Sequence, residues 1–188
     1  MCARSTVYTI SPSPDSTLAI ETRTAGLVKQ KHLFVFERFR GTLIYDPDQP
    51  LDSALHLTIE PASLACRDNG RNSNKRTRHL ETALREALGS DTHPELQLES
   101  TRLVPKALRG FILEGTLRFR GLEHAVKANL GFGTEKKYRL QIDADAAVRL
   151  SDFGVRCPSS LFGLIRTEDE VVLHAYLWGV KANGGAGG

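Results

Sequence analysis

The residues able to do chemistry are thinly spread along this chain, and their spacing nominates no catalytic group. Six histidines stand at His32, His56, His79, His93, His124 and His174. None falls in an HxH or HExxH spacing and no Cys/His cluster occurs, so the pattern that holds a metal is missing. Cys2, Cys66 and Cys157 are odd in number and scattered, with no CxxC pair. Such a set fits a reducing compartment better than a disulfide framework. No GxSxG, P-loop or GxGxxG occurs, and the carboxylates fall on polar faces or in turns. No nucleophile, general base or carboxylate pair is nominated. Neither an enzyme nor a resident cofactor or metal is expected.

The strongest charge feature is the run containing Arg67, Arg71, Lys75, Arg76 and Arg78. Clustered guanidinium and ammonium groups suit a phosphate or another anionic head group. No aromatic side chains are interleaved on which bases could stack, so nucleic acid is not an expected partner. Arg78 and His79 are the head-group candidates. The plainer alternatives are a solvated loop and a histidine bonded locally near a helix start.

Strands must position these groups. In "GTLRFRGLEHAVKANL" (115–130), Leu117 and Phe119 alternate with Arg118 and Arg120. After Gly121, Val126, Ala128 and Leu130 alternate with Lys127 and Asn129. A period of two is the mark of a half-buried strand. The same parity aligns Leu18 with Ile20, Phe39 with Leu43 and Tyr45, and Leu55 with Leu57 and Ile59. It also aligns Leu96 with Leu98, Phe111 with Leu113, and Tyr138 with Leu140 and Ile142. "EVVLHAYLWGV" is apolar on both faces, and either Leu173 with Leu177 or Tyr176 with Trp178 could point inward. "LFVFERFRGTLIYD" reads as one long strand whose first half is apolar on both faces, through a bulge or a covered outer side.

One segment breaks the pattern. "RHLETALREALGS" spaces Leu80, Ala83, Leu84, Ala87 and Leu88 helically, with Gly89 at the C-cap position, which predicts one helix at about 79–88. The polar stretch before it, "RDNGRNSNKRT", is expected to be an exposed, mobile loop. Residues 5–181 are expected to form one domain, and the Gly-rich tail 182–188 to be disordered. The opening "MCARSTVYTISPSPDS" lacks the apolar centre of an export signal and leads into the first strand at "TLAIETRT". A cytoplasmic protein with no transmembrane segment is the expectation. Composition agrees with a globular domain, at 40% hydrophobic residues and a net charge of +3 over 188 residues.

About eight antiparallel strands leave two reactive sheet edges unless the sheet closes into a barrel. A barrel of about eight strands is either plugged by side chains or holds one small ligand. Gly41, Gly115, Ala128, Ala144, Ala146 and Ala175 are small inward residues that leave volume unfilled.

Four segments in order resemble the YceI-like family, whose members are lipocalin-like and associated with polyisoprenoids or other long-chain amphiphiles. They are "FRGTLIYDPDQP", "HLETALREALGSDTHPELQLESTRL", "EGTLRFRGLEHAVKANL" and "LSDFGV", and the resemblance runs from Tyr8 to Trp178. Asp15 and Ser16 stand where many members carry His-Ser, Ala87 and Leu88 where aromatics are common, and the Arg near Asp-Phe-Gly is displaced to Arg149. The resemblance implies an all-β, lipocalin-like antiparallel barrel of about eight strands with one short α-helix and a long apolar channel. The channel wall would comprise Leu18, Ile20, Phe39, Leu43, Tyr45, Leu57 and Ile59 from the first strands. Leu84, Leu88 and Leu98 would follow from the helix and the strand after it. The central hairpin would give Phe111, Leu113, Leu117, Phe119, Val126 and Leu130, and the last segments Leu140, Ile142, Phe153 and Leu173. The implied function is non-enzymatic binding, transport or storage of a polyisoprenoid, isoprenoid quinone or fatty-acyl lipid. The alternative is a filled barrel acting as an interaction module and homodimer, with Phe34, Phe36, Tyr176 and Trp178 in its core or interface.

Overall fold

The computed structural model describes residues 5–25, 30–67, 73–106, 110–157, 159–160 and 165–182. The strands run β1 (Thr6–Ile10), β2 (Thr17–Ala25), β3 (Lys31–Phe36), β4 (Phe39–Tyr45), β5 (Ala54–Ile59) and β6 (Leu64–Cys66). After α1 (Ser73–Leu88) come β7 (Leu96–Pro105), β8 (Phe111–Phe119), β9 (Leu122–Phe132) and β10 (Arg139–Arg149). Two short strands, β11 (Ser159–Ser160) and β12 (Ile165–Thr167), precede the long β13 (Glu170–Lys181).

The sheet closes on itself. Neighbours follow the order β1-β4-β5-β7-β8-β9-β10-β13, and β13 pairs back onto β1, giving a closed eight-position antiparallel barrel. Three positions are shared by two consecutive strands. β13 pairs with β2 through Val172–Tyr176 and with β1 through Gly179–Lys181. β3 and β6 continue the positions of β4 and β5 by pairing with β2 and with each other. Closure satisfies backbone groups that an open edge would expose.

The long strand expected over residues 33–46 is therefore two strands. His32, Phe34 and Phe36 point inward, the chain bends at Glu37 and Arg38, and Phe39 points inward again. The bend restarts the alternation, which is why the run looks apolar on both faces. Phe34 and Phe36 are core residues at 2% and 5% exposure, rather than outward interface residues. On β13 the inward face carries Val171, Leu173, Ala175 and Leu177, and Tyr176 is exposed. Tyr138 precedes β10 and is exposed, against its expected inward parity. "TVYTI", read as a lead-in, is β1, and its Tyr8 and Ile10 are among the most buried side chains.

The helix is longer than its apolar spacing predicts, beginning at Ser73. The segment expected to be a loop thus enters the helix, while residues 68–72 and the tail 183–188 lie outside the described residues. Polar residues give no apolar period, so periodicity cannot report a first turn made of them. The packed end is held by polar contacts as well as by Leu84 and Leu88. Arg85 donates to the Leu64 carbonyl, Glu81 accepts from the Cys66 N–H at 2.7 Å, and Arg120 Nη1 donates to the Ala87 carbonyl at 3.1 Å.

Gly41 and Gly115 do not leave space, contrary to their reading as void-forming residues. A Cβ on Gly115 would lie 2.5 Å from the Glu99 carbonyl oxygen, and one on Gly41 would lie 2.5 Å from that of His56. Both glycines let the neighbouring strand's backbone approach closely, Gly115 beside a register shift between Ser100 and Arg102. The Arg120–Gly121 turn has positive φ at both residues, as a tight hairpin requires.

The outer face carries cross-strand ion pairs. Glu114 on β8 accepts from Arg102 on β7 at 2.5 Å and pairs with Lys127 on β9 at 2.8 Å. The hydrogen bonds from Arg102 and then Lys127 pull the Glu114 carboxyl down to about 2. Such exposed pairs contribute little individually.

Two outcomes follow. Gly115→Ala must move backbone and should cost about 1–3 kcal/mol, lowering the melting temperature by about 2–4 °C per kcal/mol in a calorimetric scan. A lowered carboxylate pKa stabilises the fold above its unfolded value, and that contribution disappears as pH falls toward the folded one. Glu114→Gln should therefore melt below the parent at neutral pH, and the gap should close between pH 4.5 and about 2. A gap that is constant with pH would show that the pair contributes nothing.

Candidate functional site

The interior is not uniformly filled. Ala128 on β9 pairs with Ala146 on β10, and Ala144 on β10 pairs with Ala175 on β13. Four methyl-sized side chains thus meet across three adjacent strands, where leucines would fill the space. The result is a cavity of about 60 Å³ whose lining side chains are all apolar. Its wall holds seven of the residues expected from the sequence: Leu18, Leu57, Ile59, Leu98, Leu117, Val126 and Leu173. It also holds Ala128, Ala144, Ala146, Val148 and Ala175, which the wall read from the sequence left out in favour of large side chains. The usable signal was the run of small inward residues, which marks a cavity only once strand register brings them together.

The other expected wall residues are distributed around this cavity. Leu43, Leu113, Leu130, Leu140 and Ile142 pack with Tyr8, Ile10 and Leu177 into a solid core. Tyr45, Phe111 and Phe132 stack nearby, with ring centroids 4.6 Å and 5.7 Å apart. Ile20, Phe39, Leu84, Leu88, Phe119 and Phe153 are buried in the same cluster. Tyr8 and Ile10 are fully buried and do not line the cavity. Arg78 and His79 are exposed on α1, and neither lines the cavity.

Polar groups near the core are quiet. Burial, and then the Glu135 carboxylate, push the Tyr8 phenol up to about 12. Burial and the Asp169 carboxylate likewise push the Cys157 thiol up, which lowers its thiolate fraction and its nucleophilicity. His174 Nδ1 lies 2.5 Å from Asp145 Oδ1 on the outer face, and both side chains are exposed. Among the described residues, no three of His, Cys, Asp and Glu converge as a metal site would require. A shallow depression of about 480 Å³, bordered by Lys106, Asn129, Asp143 and Asp145, lies outside the barrel.

A family model described as a YceI-like domain matches residues 8–177. The chain belongs to the YceI-like family. One curated relative, UPF0312 protein plu2095 of Photorhabdus laumondii, is 26% identical over 64% of this chain, and the match spans 62% of that relative's length. Among solved structures, BcnA of Burkholderia cenocepacia superposes with a TM-score of 0.66 at 17% identity, covering 87% of this chain and 95% of BcnA. A polyisoprenoid-binding domain from Saccharophagus degradans, implicated in plant cell wall breakdown, gives 0.62 at 12% identity, covering 94% and 99%. At these identities the two structures establish the shared YceI-like fold. No helix of the described residues is long and apolar enough to cross a membrane.

Proposed function

We propose that this YceI-like chain binds a long-chain amphiphile, without catalysis, by seating part of its tail against the alanine-lined wall. The observation that carries the reading is a cavity in the barrel interior with twelve apolar lining residues. Burying a methylene there contributes roughly 0.8 kcal/mol, before ordering and association costs. A polyisoprenoid, an isoprenoid quinone and a fatty-acyl lipid share that chemistry, and the Saccharophagus degradans domain described as polyisoprenoid-binding supports the first. The cavity of about 60 Å³ is small against the roughly 300–1,000 Å³ of small-molecule pockets. Uptake of a long tail therefore requires side chains to move aside, and carriage and storage both depend on that opening.

Native mass spectrometry with geranylgeraniol, retinol and palmitic acid tests this. At least one should appear as a stoichiometric adduct. Ala146→Leu, which fills the space beside Ala128, should reduce adduct formation about tenfold or more while shifting the melting temperature by only a few degrees, about 2–4 °C per kcal/mol. A protein that ignores all three lipids would overturn the reading.

A second reading, a filled barrel acting as a homodimeric interaction module, draws on the small cavity and on outward apolar residues. Val7 and Ile44 face each other across β1 and β4, and both are exposed, as is Val180 on the adjoining β13. Sedimentation should then show a dimer that Val7→Lys with Ile44→Lys dissociates. A monomer at all concentrations would remove this reading.

A further inference from the structure

The barrel wall is open between part of β9 and part of β10. β8 and β9 pair continuously from Leu122 to Leu130 of β9, and β10 and β13 pair from Arg139 to Arg149 of β10. Between β9 and β10, however, the register runs only from Phe132 opposite Ile142 to Ala128 opposite Ala146. Beyond that pair, residues 122–127 of β9 and 147–149 of β10 have no partner across the seam in the ladder. An antiparallel pair that stops midway leaves a wedge between diverging strands.

The wedge is a cleft of about 210 Å³, and Val126 and Val148 line both this cleft and the interior cavity. The two spaces therefore share a wall of two valines, one from each diverging strand. One large side chain closes the wedge. Phe153, 3% exposed, lines the cleft, and its ring lies 5.0 Å from that of His124 and 6.4 Å from that of Phe119. It sits on a single turn of 3-10 helix, Leu150–Phe153, that ends at Gly154 in the left-handed region with φ 65°. That turn is pinned mainly at one residue. Asp169 accepts from the Ser151 N–H at 2.8 Å and from its hydroxyl at 2.6 Å, and the Leu150 N–H donates to the Asp169 carbonyl at 2.9 Å. The plug thus hangs on a short segment between a pin and a glycine, outside any strand.

We propose that the amphiphile enters the barrel sideways, through the β9–β10 seam beyond Ala128 and Ala146, with Phe153 as the side chain that yields. This rests on the lipid-binding reading and adds the route and the kind of head group. The tail passes between Val126 and Val148 to the alanine wall, and the head stays in the cleft. The polar residues there are His124, Arg149, Asp152 and Glu170. Two carboxylates against one guanidinium make a poor seat for a phosphate or carboxylate head and a good one for an uncharged hydroxyl or carbonyl. Arg78 and His79, the sequence-based head-group candidates, do not line this cleft.

The test ties the seam shut. In a chain with Cys2, Cys66 and Cys157 changed to Ser, Lys127→Cys and Ala147→Cys occupy the next register position past Ala128 and Ala146. They are joined by oxidation or by a short bis-maleimide. Thr42→Cys with His56→Cys, paired across the continuous β4–β5 ladder, is the control. Stopped-flow fluorescence of retinol should show uptake slowed about tenfold or more in the joined seam variant, since an obstructed conformational route lowers association rates. The reduced form should recover the rate, and the joined control should keep it. Phe153→Leu, in the otherwise unmodified chain, should speed uptake severalfold. Retinoic acid, with the same tail and an anionic head, should bind about tenfold more weakly than retinol, a difference of about 1.4 kcal/mol. Retinol uptake equally fast with the seam joined or free, with Phe153→Leu also unchanged, would overturn the route while leaving lipid binding intact. Equal affinity for retinol and retinoic acid would overturn the head-group assignment. A reduced protein that binds no retinol, geranylgeraniol or palmitic acid would bring down the lipid-binding reading and the route together.

Discussion

β13 is the interaction on which the rest of the molecule depends. It is the strand that turns a sheet into a cylinder, pairing along one edge with β10 and along the other with β2 and then β1. Without that double pairing, β1 and β10 would be open edges, and the inward apolar side chains would face a half-solvated trough. Apolar burial of that size dominates stability in a domain like this one. The hydrogen-bonded seam and the dry interior are therefore one requirement seen from two sides.

Much of this was legible from the residues. Period-two alternation correctly gave the inward sides of β2, β4, β5, β8 and β9, because each strand has one dry and one wet face. It failed where the chain bends. At Glu37–Arg38 a corner restarts the parity, and an unbroken reading of "LFVFERFRG" cannot see it. It also failed at the polar start of α1, where no apolar residue marks the turn. Glycine was misread for another reason: Gly41 and Gly115 look like absent side chains in a sequence, whereas in three dimensions each is a backbone held against its neighbour.

The candidate site was legible only in part, and for a physical cause. Alternation says which side chains point inward, not which of them touch. Leu43 and Leu117 have the same inward parity and are both buried in the core cluster, yet only Leu117 lines the cavity. What separates them is register, which sets Leu43 between Tyr8 and Leu55 and brings alanines together on β9, β10 and β13. Register also determines where β9 and β10 part, a feature no run of single residues records. A barrel wall of this kind is weak where its smallest side chains meet the end of a ladder, and at Ala128 and Ala146 the two coincide.

The pairing of Tyr8 with Lys181 has a consequence for how the molecule comes into being. Translation delivers β1 long before β13, so the earlier strand waits through the synthesis of every element between them before its outer neighbour exists. Contacts so distant along a chain are slow to form. Throughout that interval a nascent curved sheet stands with bare edges and an uncovered greasy lining, the condition in which polypeptides capture one another. The exposure of that lining therefore belongs to the states before β13 docks, and docking ends it.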